Sequence, residues 1–279
     1  MKLGVHVSSA GSLDLAVDRA VALGCNTFQI FVSNPRGWRP TVISNENATN
    51  FKLKYRENNI IGAVAHSIYL INMASPNETL REQSVESLIT GLTNTELLGL
   101  SGLVTHIGSH QGDGLEIGTK RVVECLGQIL SDQTCCAMLL LENTAGAGNL
   151  VGKTIKELGE IVRQVNHERL GFCLDTAHAF EFGYDLRTEE GLESLVAEIE
   201  HEIGLEKLGA IHLNDSMTEF ESNRDRHETY GKGMIGEEAL TRLINHPKLR
   251  DKPFIMETPD IGKGVAGKEV VDRVRSLWR

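Results

Sequence analysis

The sequence predicts an α/β protein that folds as a single-domain (β/α)8 TIM barrel over residues 1–279. Eight short apolar runs are spaced along the chain, and amphipathic stretches with apolar residues three and four apart lie between them. The apolar runs are almost continuous, which is typical of parallel strands that are covered on both faces. Because eight strand–helix repeats are enough to close a barrel, we expect one barrel with substrate-binding loops on its rim.

The strands are predicted where apolar residues cluster without interruption. In chain order these runs are Leu3 to Val7, Thr27 to Val32, Ile61 to Ala65, Leu103 to Ile107, Ala137 to Leu141, Leu170 to Leu174, Leu208 to Leu213 and Pro253 to Met256. The clearest helical stretches are Leu13 to Leu23, Thr79 to Leu98, Glu116 to Leu130, Thr154 to Val165, Leu192 to Ile203 and Glu237 to Ile244. Residues 33–44, 108–114 and 215–236 show neither pattern, so we expect irregular rim loops there.

An open doubly wound sheet is the alternative arrangement of alternating strands and helices. Such a sheet binds its ligands at one topological switch point. In this chain the residues suited to chemistry follow strands three to eight, as expected around the mouth of a closed barrel. The barrel is therefore the preferred architecture.

Composition indicates a soluble globular protein, with 41% hydrophobic and 24% charged residues. No apolar run is long enough for a signal peptide or a membrane span, so we expect a cytoplasmic protein without a membrane partner. The five cysteines are odd in number and form no CxxC pair, which favours reduced thiols. The formal net charge of −10 argues superficially against nucleic acid, but bound divalent cations would offset part of it.

A histidine or carboxylate closes each of six successive predicted strands. These residues are His66, His106, Glu142, Asp175, His212 and Glu257. Their spacing of 33 to 45 residues matches one strand, one helix and two loops. Since parallel strands bring their carboxyl ends to one rim, these side chains are predicted to meet there.

A metal centre is the interpretation that best explains this group. Any one histidine is more simply explained as a buried, hydrogen-bonded side chain, but several carboxylates in one cleft repel one another without a cation. His178, three residues after Asp175, and the pair Asp225 and His227 add further ligands. Nine candidates exceed what one metal needs and fit two or three. Imidazole and carboxylate without thiolate suit Zn²⁺, and also Mn²⁺ or Fe²⁺.

A nucleotide cofactor is not expected. Residues 231–236 match GxGxxG, but no predicted strand leads into them, as a dinucleotide site requires. We expect a flexible rim loop instead.

Several motifs in order make the chain resemble the endonuclease IV family of metal-dependent apurinic/apyrimidinic endonucleases. The resemblance covers essentially the full length and is carried by Gly4-Val5-His6-Val7-Ser8, Asn34-Pro35-Arg36-Gly37-Trp38, His66-Ser67-Ile68-Tyr69-Leu70-Ile71-Asn72, Leu141-Glu142-Asn143-Thr144-Ala145-Gly146, Asp175-Thr176-Ala177-His178-Ala179-Phe180, His212-Leu213-Asn214-Asp215-Ser216, Asp225-Arg226-His227 and Glu257-Thr258-Pro259. Ile107, Ala177 and Lys232 depart from the family's common residues, but none of these departures removes a ligand.

The resemblance implies three zinc ions and base excision repair activity. It assigns His66, His106 and Glu142 to one ion, Glu142, Asp175, His212 and Glu257 to a second, and His178, Asp225 and His227 to a third. On chemical grounds we also expect Glu142 and Glu257 to be catalytic, with Glu142 bridging the two ions that supply hydroxide and Glu257 positioning this nucleophile. The implied reaction is cleavage on the 5′ side of an abasic site in double-stranded DNA, which leaves a 3′-hydroxyl and a 5′-deoxyribose phosphate.

The resemblance places DNA recognition on the loops after the second and third strands. Arg36, Tyr69 and Leu70 match residues that enter the duplex in this family, although ordinary surface packing would also explain them. Basic residues near the same edge are candidate phosphate contacts, although a solvated helix face would equally explain the last three: Arg36, Arg39, Lys52, Lys54 and Arg56. We expect the protein to act as a monomer.

Two other functions remain open at this stage. A xylose isomerase-like sugar isomerase or epimerase also gathers carboxylates and histidines around divalent metal, but it usually needs two sites at most. A non-catalytic binder of damaged DNA would give no reason for nine ligands.

Overall fold

Strands and helices alternate along the chain, as the pattern of apolar residues predicts. The computed structural model describes residues 1–131, 135–259 and 265–279. The barrel strands are β1 (Lys2–His6), β2 (Thr27–Phe31), β3 (Val64–His66), β4 (Gly102–Thr105), β5 (Met138–Glu142), β6 (Leu170–Asp175), β7 (Leu208–His212) and β10 (Pro253–Met256), and two short strands, β8 (Asp215–Ser216) and β9 (His227–Glu228), lie outside the barrel. The α-helices are α1 (Asp14–Ala22), α2 (Asn45–Glu57), α3 (Glu78–Leu98), α4 (Leu115–Ile129), α5 (Ile155–Val165), α6 (Thr176–Phe182), α7 (Glu189–Glu202), α8 (Glu237–Asn245) and α9 (Val265–Leu277), and Leu205–Lys207 form a 3-10 turn.

Eight parallel strands close into a barrel. They follow the order β1-β10-β7-β6-β5-β4-β3-β2, and β1 closes the ring by pairing with both β10 and β2. The predicted (β/α)8 architecture is therefore confirmed. The predicted extent of the domain includes residues 132–134 and 260–264, which lie outside the described residues.

The third strand begins later than predicted. The sequence placed it over Ile61 to Ala65, but β3 covers Val64–His66. Ile61 is 45% exposed, and Gly62 adopts a φ of 66°, which turns the chain before the strand begins. An apolar residue in a turn thus extended the predicted run by three residues.

The loop over residues 215–236 is more ordered than the sequence predicted. Strands β8 and β9 pair antiparallel above the barrel. We call residues 215–228 the β8–β9 hairpin. It delivers Asp225 and His227 to the rim.

An apolar plug fills the barrel beneath the candidate site. One residue from each of six strands forms it, namely Val64, Val104, Leu140, Cys173, Ala210 and Ile255. Successive side chains of a strand point to opposite faces, so the residue two positions later also points into the barrel. For each of the six strands that residue, the last of the strand or the one just after it, is one of the six polar side chains singled out from the sequence. The alternation of the strands therefore places them in one layer above the plug.

Within the described ranges, none of the helices is both long enough and apolar enough to cross a lipid bilayer.

Candidate metal centre at the barrel mouth

All nine candidate ligands meet at the carboxyl ends of the strands. Ligand atoms of eight of them form three groups, and within each group the atoms lie within 4.8 Å of one another. The groups are His66, His106 and Glu142; Glu142, Asp175, His212 and Glu257; and Asp175, His178 and His227, with Asp225 beside the last. A cavity of about 730 Å³ opens above them.

Glu142 lies at the centre and faces two of these groups. Its Oε2 is 3.2 Å from Nε2 of His66 and 3.5 Å from Nε2 of His106. Its Oε1 is 2.9 Å from Nδ1 of His212. Because its two carboxylate oxygens face different imidazoles, Glu142 is suited to bridge two cations.

The second group surrounds His212 with carboxylates. Nδ1 of His212 lies 3.3 Å from Oε2 of Glu257 and 3.7 Å from Oδ2 of Asp175. His212 and Asp175 are fully buried, whereas Glu257 keeps contact with the cavity. This group therefore combines one imidazole with three acidic side chains.

The third group depends on α6 and on the β8–β9 hairpin. Asp175 caps the N-terminus of α6 by accepting a hydrogen bond at Oδ1 from the amide of His178, and this places the His178 side chain over the mouth. Nε2 of His178 is 3.3 Å from Oδ2 of Asp225, and Nε2 of His227 is 3.5 Å from Oδ1 of Asp225. The extended segment through Asp225 and His227 thus turns both side chains to one side.

Asp175 also approaches the third group, which the sequence had not indicated. Its Oδ2 lies 3.5 Å from Nε2 of His227. This oxygen also accepts a hydrogen bond from the Asn214 side-chain amide at 2.7 Å, while the Asn143 side-chain oxygen accepts from the Asp175 backbone amide. The two asparagines hold Asp175 between the second and third groups.

Hydrogen bonds to oxygen fix which nitrogen of three histidines is protonated. Nδ1 of His66 donates to the carbonyl of Ser67, and Nδ1 of His178 donates to the carbonyl of Asn143. Nε2 of His212 lies 2.8 Å from Oε1 of Gln29. Because these oxygens only accept, the nitrogen beside each of them carries the proton, and the opposite nitrogen of the neutral ring has the lone pair that a metal-ligating histidine needs.

The donor set fits divalent metal ions. Nε2 of His178 and Nε2 of His227 are buried and have no hydrogen-bond partner among the described residues. A buried nitrogen with an unused lone pair is costly unless it binds something. Imidazole with carboxylate and no thiolate is suited to Zn²⁺, Mn²⁺ or Fe²⁺.

The electrostatics of the mouth keep its acids ionised. Burial would raise the pKa of Glu142, but the imidazoles of His106 and His212 outweigh it and hold this pKa well below its usual range. Burial would also raise the pKa of Asp225, but the neighbouring imidazole of His178 outweighs it and lowers this pKa to about 2. The anionic oxygens therefore create a negative field that attracts cations.

Gln29 is a site residue that the sequence analysis missed. It lies inside the barrel on β2 and is fully buried. Its Nε2 is 2.6 Å from Oε1 of Glu257 and 3.0 Å from Nδ1 of His6. The available signal was a single amide side chain within a largely apolar strand.

Comparison with known proteins finds relatives that match nearly the whole chain. A family model described as a xylose isomerase-like TIM barrel matches residues 17–277. The chain is 46% identical over 276 residues to a probable endonuclease 4 of Halothermothrix orenii, with 99% of each chain covered. It is 45% identical over 259 residues to a probable endonuclease 4 of Methanoculleus marisnigri, with 92% of each covered.

The chain belongs to the endonuclease IV family.

A solved member of the endonuclease IV family has the same fold. The crystal structure of endonuclease IV from Thermus thermophilus superposes with a TM-score of 0.88 at 35% identity, covering 99% of this chain and 98% of that one. A D-tagatose 3-epimerase-like protein superposes with a TM-score of 0.73 at 21% identity, covering 99% and 98%, which shows a shared barrel alone.

The three residues predicted to contact DNA lie on two joined loops, and one of them, Tyr69, lines the cavity. The amide of Tyr69 donates to the carbonyl of Pro35, next to Arg36. Tyr69 is 59% exposed and lines the cavity, and its ring lies 5.2 Å from that of Phe31. Arg36 and Leu70 are also exposed.

Lys54, one of the candidate phosphate contacts, forms ion pairs within the chain. Its ammonium group lies 2.8 Å from Asp14 and 2.6 Å from Asp18 on α1. These ion pairs join α2 to α1. Lys54 is thus already paired with two carboxylates.

The GxGxxG segment is anchored, which corrects the expectation of a flexible rim loop. The carboxylate of Asp215 accepts hydrogen bonds from the amides of Gly233, Ile235 and Gly236 at 3.0, 2.9 and 3.3 Å. Asp215 is fully buried at the start of the β8–β9 hairpin. Amides that bind phosphate in a dinucleotide site are here bound to a carboxylate of the same chain.

Proposed function

We propose that this protein is a zinc-dependent endonuclease that hydrolyses the phosphodiester 5′ to an abasic site in duplex DNA and leaves a 3′-hydroxyl and a 5′-deoxyribose phosphate. The observation that carries the proposal is the sharing of Glu142 and Asp175 among three adjacent donor groups. Membership of the endonuclease IV family supports it. We further propose that the protein acts as a monomer inside the cell.

Nine residues would hold three zinc ions in this proposal. His66, His106 and Glu142 would hold the first, Glu142, Asp175, His212 and Glu257 the second, and His178, Asp225 and His227 the third. Bound zinc would acidify water and neutralise negative charge on the phosphate.

Glu257 and Glu142 are the proposed catalytic residues. Gln29 donates to Oε1 of Glu257 and so fixes the orientation of the carboxylate, whose Oε2 faces the second donor group and would orient the attacking water there. Glu142 Oε1 and Oε2 are fixed by imidazoles, which hold the carboxylate at the centre of the mouth. In the reaction the water oxygen bonds to phosphorus and the bond from phosphorus to the 3′ oxygen breaks.

Recognition of damage is assigned to Arg36, Tyr69 and Leu70. Inserting side chains into DNA costs a few kcal/mol of unstacking for an intact step. An abasic nucleotide has no base to unstack or unpair, so it is extruded at lower cost than a normal nucleotide. The exposed ring of Tyr69 beside the cavity supports this role.

A nicking assay tests the proposal. A labelled duplex with one tetrahydrofuran abasic analogue would be incubated with the zinc-loaded protein, beside an identical duplex that has a normal nucleotide there. We expect one cut 5′ to the analogue, a 3′ end that a polymerase extends, and loss of cutting after chelation. Cutting of both duplexes alike, or of neither, would refute the proposed activity.

The sugar epimerase alternative is tested in parallel. Barrel similarity to an epimerase-like protein supports the fold only. Incubation with ketohexoses, followed by chromatography of the products, would reveal isomerisation. Sugar conversion without nicking would favour the alternative.

A further inference from the structure

We propose that Glu181 is a positioning residue whose buried carboxylate holds the β8–β9 hairpin against α6 and so fixes Asp225 and His227 opposite His178. The inference deepens the proposed function and rests on it, because it treats those three residues as ligands of the third ion. Glu181 lies one turn after His178 on α6 and is fully buried.

The carboxylate of Glu181 contacts both arms of the hairpin. Its Oε1 accepts a hydrogen bond from the hydroxyl of Ser216 at 2.7 Å and from the backbone amide of Arg226 at 3.2 Å. The hydroxyl of Thr218 lies 3.3 Å from the same oxygen. Arg226 stands between Asp225 and His227, so this contact is made at the point where the two side chains leave the hairpin.

The backbone of α6 holds the tip of the same hairpin. The carbonyl of Glu181 accepts from the amide of Asn223 at 2.9 Å, and the carbonyl of Phe180 accepts from the amide of Glu221 at 3.4 Å. Glu221 and Asn223 have φ values of 60° and 54°, in the left-handed region that side chains other than glycine rarely adopt. Such a conformation persists only where surrounding contacts impose it.

Packing provides a second anchor farther from the metal centre. The rings of Phe180 and Phe220 lie 5.4 Å apart, and the guanidinium of Arg187 lies 5.3 and 5.2 Å from their centroids. These contacts keep the hairpin tip on α6 when the carboxylate is removed. Loss of the Glu181 side chain should therefore loosen the arms that carry the ligands without detaching the hairpin.

Glu181 is an acid at a fully buried position, and its hydrogen-bond partners give the structural reason. Burial raises the pKa of Glu181 to about 6, against the hydrogen bonds from Ser216 and from the Arg226 amide. An apolar side chain would be easier to bury, but it would leave the donors of the hairpin without an acceptor. The acceptor oxygen is thus the feature that the hairpin needs.

The test compares Glu181→Ala with Glu181→Gln, which keeps an accepting oxygen. In the metal-free protein, we expect the amides of residues 216–228 to exchange with solvent about tenfold faster in Glu181→Ala, as loss of a hydrogen bond to a charged group predicts. Barrel strands should exchange as in the wild type. After zinc loading, Glu181→Ala should hold about two equivalents where the wild type holds about three, and Glu181→Gln should restore the third.

The matched control is Glu198→Ala. Glu198 lies on α7 and accepts a hydrogen bond from Tyr184, just beyond α6, rather than from the hairpin donors that Glu181 binds. This variant should keep all of its zinc and normal exchange. Wild-type zinc content and hairpin protection in Glu181→Ala would overturn the proposal.

The design also covers two other outcomes, namely that Glu181→Ala does not fold and that the wild type does not nick abasic DNA. If Glu181→Ala does not fold, Ser216→Ala removes the closest donor, and unchanged exchange of the hairpin in that variant would refute the role. If the wild type does not nick abasic DNA, the proposed function fails. Selective loosening of the metal-free hairpin would still support the positioning role.

Discussion

The side chain of Gln29 donates to Glu257 across the barrel mouth, with 2.6 Å between Nε2 and Oε1. Its other end, Oε1, lies 2.8 Å from Nε2 of His212. The two ends of one neutral amide are therefore committed to two candidate ligands. Since an amide has a fixed arrangement of donor and acceptor, Gln29 sets both the orientation of Glu257 and the protonated nitrogen of His212.

Replacing Gln29 by leucine should reduce both zinc affinity and nicking. The change leaves the Nε2–H group of His212 buried without its acceptor and frees Glu257 to rotate. Outer partners of metal ligands are typically worth about 10- to 100-fold in affinity or activity. Zinc titration and nicking rates would measure this, with Gln128→Leu on the exposed face of α4 as the control. Wild-type values for both quantities would contradict the assigned role.

Glu257→Gln should bind abasic DNA but nick it slowly. The variant removes the negative charge while keeping the size of the side chain, so the effect should fall on turnover. A residue that orients or deprotonates a nucleophile contributes roughly 10²- to 10⁴-fold. Gel-shift affinity and single-turnover nicking separate binding from chemistry, and Glu124→Gln on α4 provides an exposed control. Full turnover in Glu257→Gln would exclude the catalytic role.

Stability should depend on pH through Glu181. Burial raises its pKa to about 6 from the usual 4.5, so the folded state favours the protonated acid. This contribution to stability is fully present below pH 4.5 and is lost as pH rises through 6. The wild type should therefore lose about 2 kcal/mol relative to Glu181→Gln as the pH rises from well below 4.5 to 7, because a shift of 1.5 pKa units (6 − 4.5) is worth about 2 kcal/mol. Urea denaturation of the metal-free proteins measures this, and a difference that does not change with pH would contradict it.

Tyr69→Ala should weaken selection of abasic DNA. The exposed ring lies beside the cavity, where it can stack on bases next to the lesion. Base–aromatic stacking is worth about 1–3 kcal/mol per base. Tyr69→Phe keeps the ring and should behave almost as the wild type. Binding to abasic and intact duplexes would be compared, and an equal loss on both would argue against a role in selection.

The sequence was most informative at the strand ends. An apolar run that stops at a histidine or carboxylate is a local signal, and the parallel barrel converts it into spatial proximity. His66 and His212 illustrate this, because 146 positions separate them (212 − 66) while their rings lie 6.1 Å apart. The regular alternation of inward and outward side chains carries such a prediction without knowledge of the loops.

Features set by tertiary contacts could not be predicted in the same way. The approach of Asp175 to His227 depends on how the β8–β9 hairpin docks, and strands of two residues leave no periodicity to detect. Helix α2 has few buried residues, chiefly Ala48 and Phe51, so its amphipathic signal is weak. Gln29 could not be distinguished from a strand residue with a satisfied amide until its partners were known.

The hydrogen bond from the amide of Tyr69 to the carbonyl of Pro35 joins the rim segment that carries Arg36 to the one that carries Leu70. The two segments should therefore move together, and in the proposed function Arg36 and Leu70 would approach a duplex as a preassembled pair. Less conformational entropy would then be lost when the two segments bind DNA. A substitution in either segment should accordingly disturb the DNA contacts proposed for both.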